Sequence, residues 1–239
     1  SSCFVVALLC ANVASAASFP DVPIDHENYQ AIEYIKGKGF INGYSDLTFR
    51  PENKITRAEA VRIIVSAVSL PTTDDSLVLF PDVVKTDWFF KYVMAAQAAG
   101  IVSGDTNGKF RPNDTVNLAE SLKIISSAMK AEIPSKDSLP QKVFSDVDKD
   151  AWYAPYAFFA KEKNIIFMND YGEVLINTPM TRGTFTEIMY RFVRAQENSW
   201  TPYQVDEKWI PYESSVLPFK VKHPKDWEIV ELNSKDLNE

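Results

Sequence analysis

Apolar side chains recur at helical spacing in three stretches of the chain: Val61, Ile64, Val65 and Val68; Leu122, Ile125 and Met129; and Ile188, Met189 and Phe192. The first stretch follows Thr56, with Glu59 three positions on. This spacing predicts a capping box, in which the hydroxyl accepts a hydrogen bond from a backbone amide and the carboxylate reaches back. Asn117 and Glu120 repeat it. The pattern predicts three amphipathic core helices.

A second helix is predicted upstream of each core helix. The chain is apolar and alanine-rich from Trp88 to Ala99, and Gly100 follows where helices commonly end. Gly39 has the same place in the first copy. A loop then ends at Arg50-Pro51 or Arg111-Pro112, where proline should hold the preceding residue in extended geometry. Each unit is therefore predicted to be helix, loop, helix.

The unit occurs three times, opening at Phe19, Phe80 and Phe144 with FPDV, FPDV and FSDV. The first two copies match again from Gly43 to Ala60 and from Gly104 to Ser121, and the third keeps MTRGTF from Met180 to Phe185. Repeats of such a period bury their apolar faces against one another. We expect a mainly α fold, with three helix-loop-helix repeats in a pseudo-threefold arrangement around a central helical bundle.

The repeats divide the chain into predicted segments. Residues 1–17 carry an apolar run and then Ala14-Ser15-Ala16, the small-x-small form of a signal-peptidase site, and are interpreted as an N-terminally incomplete signal peptide. The run is much shorter than the roughly 20 residues of a membrane anchor, the alternative reading. Repeats 1, 2 and 3 are expected at 19–79, 80–143 and 144–200. Residues 201–239 resemble a linker and the start of a further, truncated domain.

Charge and composition limit the chemistry. The net charge is −7, whereas a nucleic-acid binder normally has a basic excess. Cys3 and Cys10 both lie in the predicted signal peptide, which leaves no disulfide or thiolate to the mature chain. His26 and His223 are far apart in sequence, and the recurring acids fit repeated binding sites better than one catalytic centre. We therefore expect no catalysis, cofactor or metal site in this fragment.

The combination of F-x-D-V, an aromatic residue at the first helix, G-x-x-x-x-x-F-R-P and I-T-R-A-E resembles the S-layer homology family. The resemblance implies a three-repeat module that anchors an exported protein non-covalently to the cell envelope. Its implied partner is a secondary cell-wall polysaccharide or peptidoglycan-linked glycan, often pyruvylated, with no nucleic acid and no membrane insertion after signal removal. Two alternatives stay open: a wall-active enzyme whose catalytic domain lies beyond residue 239, and a self-assembling S-layer protein.

In the family, ligands lie in grooves between repeats, and the arginine of TRAE reaches the acidic sugar. By motif match this role falls on Arg57 and Arg182, whereas Leu118 has that place in the second copy. Free amides at the helix start suit an anion, and an arginine fork can hold a carboxylate by two parallel bonds. The alternative is an arginine paired with Glu59 or with a neighbouring repeat.

The other candidates for ligand contact are recurring residues: Thr56 and Thr181, Gly43 and Gly104, Trp88 and Trp152, Asp82 and Asp146. The tryptophans can stack on a sugar face, although a place in the core is favoured. The glycines should let a ligand or another loop come close. The aspartates suit hydrogen bonding at a helix start or a sugar hydroxyl, with structural use favoured. Glu27 replaces the tryptophan in the first copy and Met168 the glycine in the third, so we expect fewer than three working grooves.

Overall fold

A computed structural model describes residues 17–73 and 79–204 together with the strands 209–213 and 220–224. The predicted signal peptide therefore lies outside the described residues except for its last position. The helices are α1 Tyr29–Gly37, α2 Arg57–Ala67, α3 Phe90–Ala98, α4 Leu118–Ala128, α5 Ala154–Glu162 and α6 Arg182–Glu197. Strands β1 Trp209–Glu213 and β2 Lys220–Pro224 pair antiparallel. The predicted mainly α fold is confirmed. No helix in the described part of the chain is long and apolar enough to span a bilayer.

The core helices α2 and α4 begin at their predicted caps. Thr56 Oγ1 accepts from the Glu59 amide at 3.3 Å, and the Glu59 carboxylate accepts from the Thr56 amide at 2.9 Å. Asn117 and Glu120 form the same box at α4. Thr181 caps α6 without a returning carboxylate, because the third helical position there is a threonine. Both predicted capping boxes are confirmed.

The segments leading into the core helices form a closed ring of backbone hydrogen bonds. The Ile55 amide donates to the Met180 carbonyl (3.1 Å), the Met180 amide to the Val116 carbonyl (2.9 Å), and the Val116 amide to the Ile55 carbonyl (3.3 Å). Each repeat is thus a donor to one neighbour and an acceptor for the other. This ring surrounds the pseudo-threefold axis of the three repeats.

Backbone amides at the core-helix starts are already bonded across repeats. In α2, the Arg57 and Ala58 amides donate to the carbonyls of Asp114 and Pro112, at 2.9 and 3.0 Å. The first two amides of α6 donate to repeat 1 in the same way, at 2.7 and 2.8 Å. The expectation that free amides at α2 would receive an anion is therefore wrong. A helix end buried against a neighbour must satisfy these groups internally.

The aspartate of each opening motif holds the loop between the two helices of its repeat. The Asp21 carboxylate accepts from the amides of Phe49 and Arg50, at 2.8 and 2.6 Å. Asp82 and Asp146 accept from two loop amides each in the same manner. Both oxygens of each carboxylate therefore serve the loop, which is the structural use that was favoured, although the bonds reach the loop and not a helix start.

The arginines before Pro51 and Pro112 do not have the predicted extended geometry. Their φ angles are +60° at Arg50 and +59° at Arg111, in the left-handed region. The local preference imposed by proline is overcome because the aspartate binds the arginine amide and fixes its orientation. The turn directs these two long basic side chains along the loop, where both are partly exposed.

Replacing Gly183 by alanine should lower the free energy of unfolding by about 1–3 kcal/mol. A Cβ at this second position of α6 would lie 2.5 Å from Asn28 Oδ1 and 3.2 Å from Pro51 Cβ, at the contact of repeats 3 and 1. The control is Gly37→Ala at the end of α1, where no atom lies within 4 Å of the new methyl. The free energy of unfolding of this control should equal or slightly exceed that of the wild type. Urea unfolding followed by circular dichroism measures both, and equal losses would contradict the interface explanation.

Candidate binding grooves

The structure has three equivalent grooves. Each groove lies between the loop of one repeat and the start of a core helix from a neighbouring repeat. The first side chain of that core helix enters the groove. Groove 1 comprises loop 41–50, Glu59 and the inserted Arg182. Groove 2 comprises loop 102–111, Glu120 and the inserted Arg57, and groove 3 comprises loop 166–175, Thr184 and the inserted Leu118. Grooves 2 and 3 contain cavities of about 260 and 400 Å³.

In groove 2, Arg57 is a buried arginine fixed by two bonds to repeat 2. It is 8% exposed, its Nε donates to the Phe110 carbonyl at 2.9 Å, and its Nη1 donates to Glu120 Oε1 at 3.1 Å. Burial lowers the pKa of Arg57, and the Glu120 charge opposes that shift. An arginine nevertheless stays charged at neutral pH. Its Nη2 makes no hydrogen bond to a described residue, and the side chain borders the cavity.

Two more cations and a tryptophan line groove 2. Lys123 is exposed, and its Nζ lies 5.4 Å from the centre of the Trp152 ring. The Arg111 guanidinium lies 3.6 Å from the Asp105 carboxylate and 3.9 Å from Glu120. The cavity of groove 2 is thus lined by three cations and by the carboxylates of Asp105 and Glu120, which leaves an excess of one positive charge.

Groove 1 holds its arginine more tightly. Arg182 is 3% exposed, with Nε donating to the Phe49 carbonyl (3.0 Å) and Nη2 to the Asn42 carbonyl (2.9 Å). Its Nη1 lies 3.8 Å from Glu59, and its guanidinium lies 5.0 Å from the Tyr44 ring centre. Arg57 and Arg182 thus both pair with the neighbouring repeat, which was the alternative interpretation. A ligand role for them stays a prediction, and in Arg57 it falls on Nη2.

Glu59 is more than a helix cap. Besides the Thr56 amide, its carboxylate accepts the hydroxyl hydrogen of Tyr44 at 2.6 Å. Burial opposes ionisation of Glu59, but the hydrogen bonds from Thr56 and Tyr44 and the charge of Arg182 outweigh it and lower the pKa. The carboxylate is therefore ionised at neutral pH and matches the positive charge that repeat 3 inserts.

The tryptophans are not in the core, contrary to the favoured interpretation. Trp88 and Trp152 are 56% and 52% exposed. Each lies just before its helix, and the next residue, Phe89 or Tyr153, meets the indole edge-on, with ring centres 5.3 and 5.4 Å apart. The helical spacing inside α3 and α5 does not extend to a residue outside the helix. Trp152 lines groove 2 and presents an open aromatic surface.

The two loop glycines allow the loop to approach other parts of its own repeat. A Cβ on Gly43 would lie 2.6 Å from Phe19 Cε1 and 2.9 Å from the Thr48 carbonyl oxygen. At Gly104 it would lie 2.8 Å from the backbone of Gly108. The predicted close approach is confirmed for the loop itself, and a contact with a ligand stays a prediction.

Groove 3 differs in chemistry from the other two. Its cavity is bordered by Leu118, Leu175 and Phe167, and Glu187 lies where groove 2 has Lys123. Arg191 donates from Nε to Glu187 at 2.8 Å. The lining is predominantly apolar.

Sequence reasoning missed Lys123 as a groove residue. It stands three positions after the capping Glu120, as Arg62 does after Glu59, and this recurrence was the available signal. One helical turn separates the two positions, so the basic side chain lies on the same face as the capping carboxylate. Thr181 borders groove 3, and Thr56 serves the α2 cap.

Comparisons with known proteins agree with this arrangement. The family model of the S-layer homology domain matches residues 18–61 and 79–120, the first helix, loop and core-helix start of repeats 1 and 2. An S-layer protein of Bacillus thuringiensis subsp. finitimus is 30% identical over 139 residues, 58% of this chain and 17% of that protein. An S-layer protein of Bacillus licheniformis is 37% identical over 106 residues, 44% of this chain and 12% of that protein.

A third relative, an uncharacterized cell wall amidase of Bacillus anthracis, is 30% identical over 145 residues, 61% of this chain and 26% of that protein. The chain thus spans only a minor part of the relatives it matches. The family and the S-layer relatives identify an exported protein of the cell-envelope surface. The match of residues 18–61 and 79–120 confirms, for the first two repeats, the resemblance to the S-layer homology domain family.

Proposed function

We propose that the chain anchors an exported protein to the cell envelope by binding an acidic cell-wall polysaccharide in groove 2, without covalent chemistry. The observation that carries this proposal is the excess of cations in groove 2, where Arg57, Arg111 and Lys123 outnumber two carboxylates beside the exposed ring of Trp152. The chain as a whole has a net charge of −7, so this positive cluster is a local feature. Anchoring of surface proteins in general follows from the family.

The binding group in groove 2 is a sugar carboxylate, such as that of a pyruvyl ketal. Arg57 Nη2 donates to it, and Lys123 supplies a second positive charge at the open side. Because Phe110 and Glu120 already hold the Arg57 guanidinium in place, little side-chain entropy is lost on binding. The exposed indole of Trp152 gives the apolar face of a sugar ring a surface to lie on.

Groove 1 provides a second site of lower affinity. Its arginine already bonds two carbonyls and lies near Glu59, so fewer of its donors are open to a ligand. A polymer that engages both grooves converts the second event into an intramolecular one and gains avidity. We expect tight retention only on polymer that offers several acidic sugars.

Co-sedimentation with purified cell-wall sacculi of the source organism tests this function. The protein should sediment with intact sacculi and remain in solution once acid has stripped the secondary polymer. Binding should weaken as ionic strength rises, since exposed charge pairs are screened by salt. Equal binding to intact and stripped sacculi would contradict a polysaccharide ligand, and no binding to either would contradict wall anchoring.

A further inference from the structure

The loop of repeat 3 exposes large apolar side chains at positions that are polar or glycine in the other two loops. The loop 3 patch, as we call it, consists of Phe167, Met168, Tyr171 and Leu175, which are 51, 59, 83 and 54% exposed. Repeat 1 has asparagine, glycine, aspartate and arginine at these positions, and repeat 2 has serine, glycine, asparagine and arginine. An exposed apolar cluster of this kind marks an interaction surface.

The loop that carries the patch is held in one shape by its own repeat. The Ser145 amide donates to the Gly172 carbonyl at 2.8 Å, and the Ser145 hydroxyl donates to the Tyr171 carbonyl at 3.0 Å. Within the loop tip, Asn169 Oδ1 accepts from the amides of Tyr171 and Glu173, both at 3.0 Å. Because the loop is already ordered, a partner that binds the patch need not order it first.

Charges of opposite sign lie at the two edges of the patch. Asp170 and Glu173 belong to the loop tip, which bonds the opening segment of repeat 3. Lys54 reaches from repeat 1 to the other end of the loop, where its Nζ donates to the Pro179 carbonyl at 2.8 Å. Among the described residues, no cation pairs with either acid and no carboxylate pairs with Lys54. The patch thus has an acidic edge and a basic edge.

This distribution of charge decides which partner fits the patch. Arg191 lies 4.6 Å from the Phe167 ring centre but is already paired with Glu187, so it adds no net charge. An anionic surface would be repelled by the acidic edge and a cationic surface by Lys54, so the partner must carry both signs in reverse order. We infer that the partner is a second copy of the chain. The two patches pack together about a two-fold axis, and Lys54 of each copy pairs with Asp170 of the other.

The size of the patch sets the strength of this dimer. A whole aromatic side chain buries roughly 150–250 Å². Four side chains that are each partly exposed therefore supply less than the roughly 800 Å² per partner of a standard interface. The dimer is weak in solution and forms where copies are crowded. It goes beyond the proposed function, since it requires no glycan, but it also doubles the number of grooves that one particle presents to a polymer.

Sedimentation velocity of the full chain from about 10 µM to about 1 mM tests the dimer. The wild type should shift from monomer towards dimer over this range. Tyr171→Asn, which introduces the residue type of repeat 2, should weaken association at least about tenfold, because Tyr171 is the most exposed residue of the patch. Leu47→Asn, which changes a 74% exposed residue in the loop of repeat 1, is the matched control and should associate as the wild type does.

Charge reversal distinguishes the two-fold pairing from any other contact. Lys54→Glu places like charges opposite each other at both edges of the dimer, and Asp170→Lys does the same. Each variant alone should therefore remain monomeric, at an unfolding midpoint close to that of the wild type. An equimolar mixture should associate with about the wild-type affinity, because both edges of a mixed dimer again join opposite charges.

The remaining outcomes would overturn the inference. A wild type that stays monomeric over the whole range would do so, as would a Tyr171→Asn variant that associates like the wild type. Growth beyond the dimer, or a mixture of the charge variants that stays monomeric, would rule out the two-fold pairing. The proposed function would stand in each case, because the residues that line groove 2 take no part in this contact.

Discussion

Arg182→Leu is expected to lower the free energy of unfolding by about 3–5 kcal/mol, the usual cost of removing one partner of a buried ion pair. The guanidinium is almost wholly buried between repeats 3 and 1 and bonds the carbonyls of Phe49 and Asn42. Without it, both carbonyls lose a donor and the carboxylate of Glu59 stays ionised beside an apolar side chain. Urea unfolding followed by tryptophan fluorescence and circular dichroism measures the loss.

The chain itself supplies the compensating change. Leu118 and Thr184 occupy in groove 3 the positions that Arg182 and Glu59 occupy in groove 1. Arg182→Leu combined with Glu59→Thr should therefore recover much of the lost stability, since it removes the unpaired charge as well. Arg50→Leu, which changes an exposed arginine in the same loop, should leave the unfolding midpoint almost unchanged. A double variant as unstable as the sum of its single changes would show that Glu59 is not the source of the loss.

The sequence was most informative where one short segment decides the structure. Thr56 and Glu59 form their capping box within four residues, and the helical spacing after Asn117 needs only α4 itself. These elements were predicted with their starting residues. The opening motifs likewise showed that three equivalent units exist, from which the mainly α arrangement follows.

Contacts between repeats were not predictable in the same way. The carbonyl that Arg182 Nε binds belongs to Phe49, 133 residues earlier in the chain. The motif around the arginine is the same whether the side chain bonds a neighbouring repeat or is free to bind an anion. The closed ring of Ile55, Val116 and Met180 amides also depends on packing of all three repeats. For this reason the free-amide argument at the α2 start failed.

Two local rules failed for physical reasons that the structure makes plain. Proline disfavours a helical or left-handed residue before it, yet Asp21 binds the Arg50 amide and holds the turn. Aromatic residues near a helix usually enter the core, yet Trp152 lies outside α5 and remains exposed. In both cases the exception lies beside a groove, where basic or aromatic side chains are left accessible to a ligand.

This division between interface and groove determines how binding should be tested. Loss of wall binding in an Arg57 or Arg182 variant is ambiguous, because both side chains hold neighbouring repeats together. Lys123 and Trp152 are exposed, and no inter-repeat hydrogen bond of either side chain occurs in the described structure. They are therefore the side chains whose removal reports on the groove and not on the fold.

Lys123→Ala and Trp152→Ala should each weaken binding to intact sacculi about tenfold at unchanged unfolding midpoint. The double variant should lose less than the product of the two, because the Lys123 ammonium lies over the Trp152 ring and the two side chains are coupled. Lys123→Ala removes a charge that pairs with the sugar carboxylate, so the affinity of this variant for sacculi should also depend less on salt concentration. Trp152→Ala removes only apolar contact, so the affinity of this variant should depend on salt concentration as that of the wild type does. Lys142→Ala, which removes an exposed lysine outside groove 2, is the matched control in a co-sedimentation isotherm. If the control weakens binding as much as Lys123→Ala, attraction is a property of overall charge, and groove 2 is not the site.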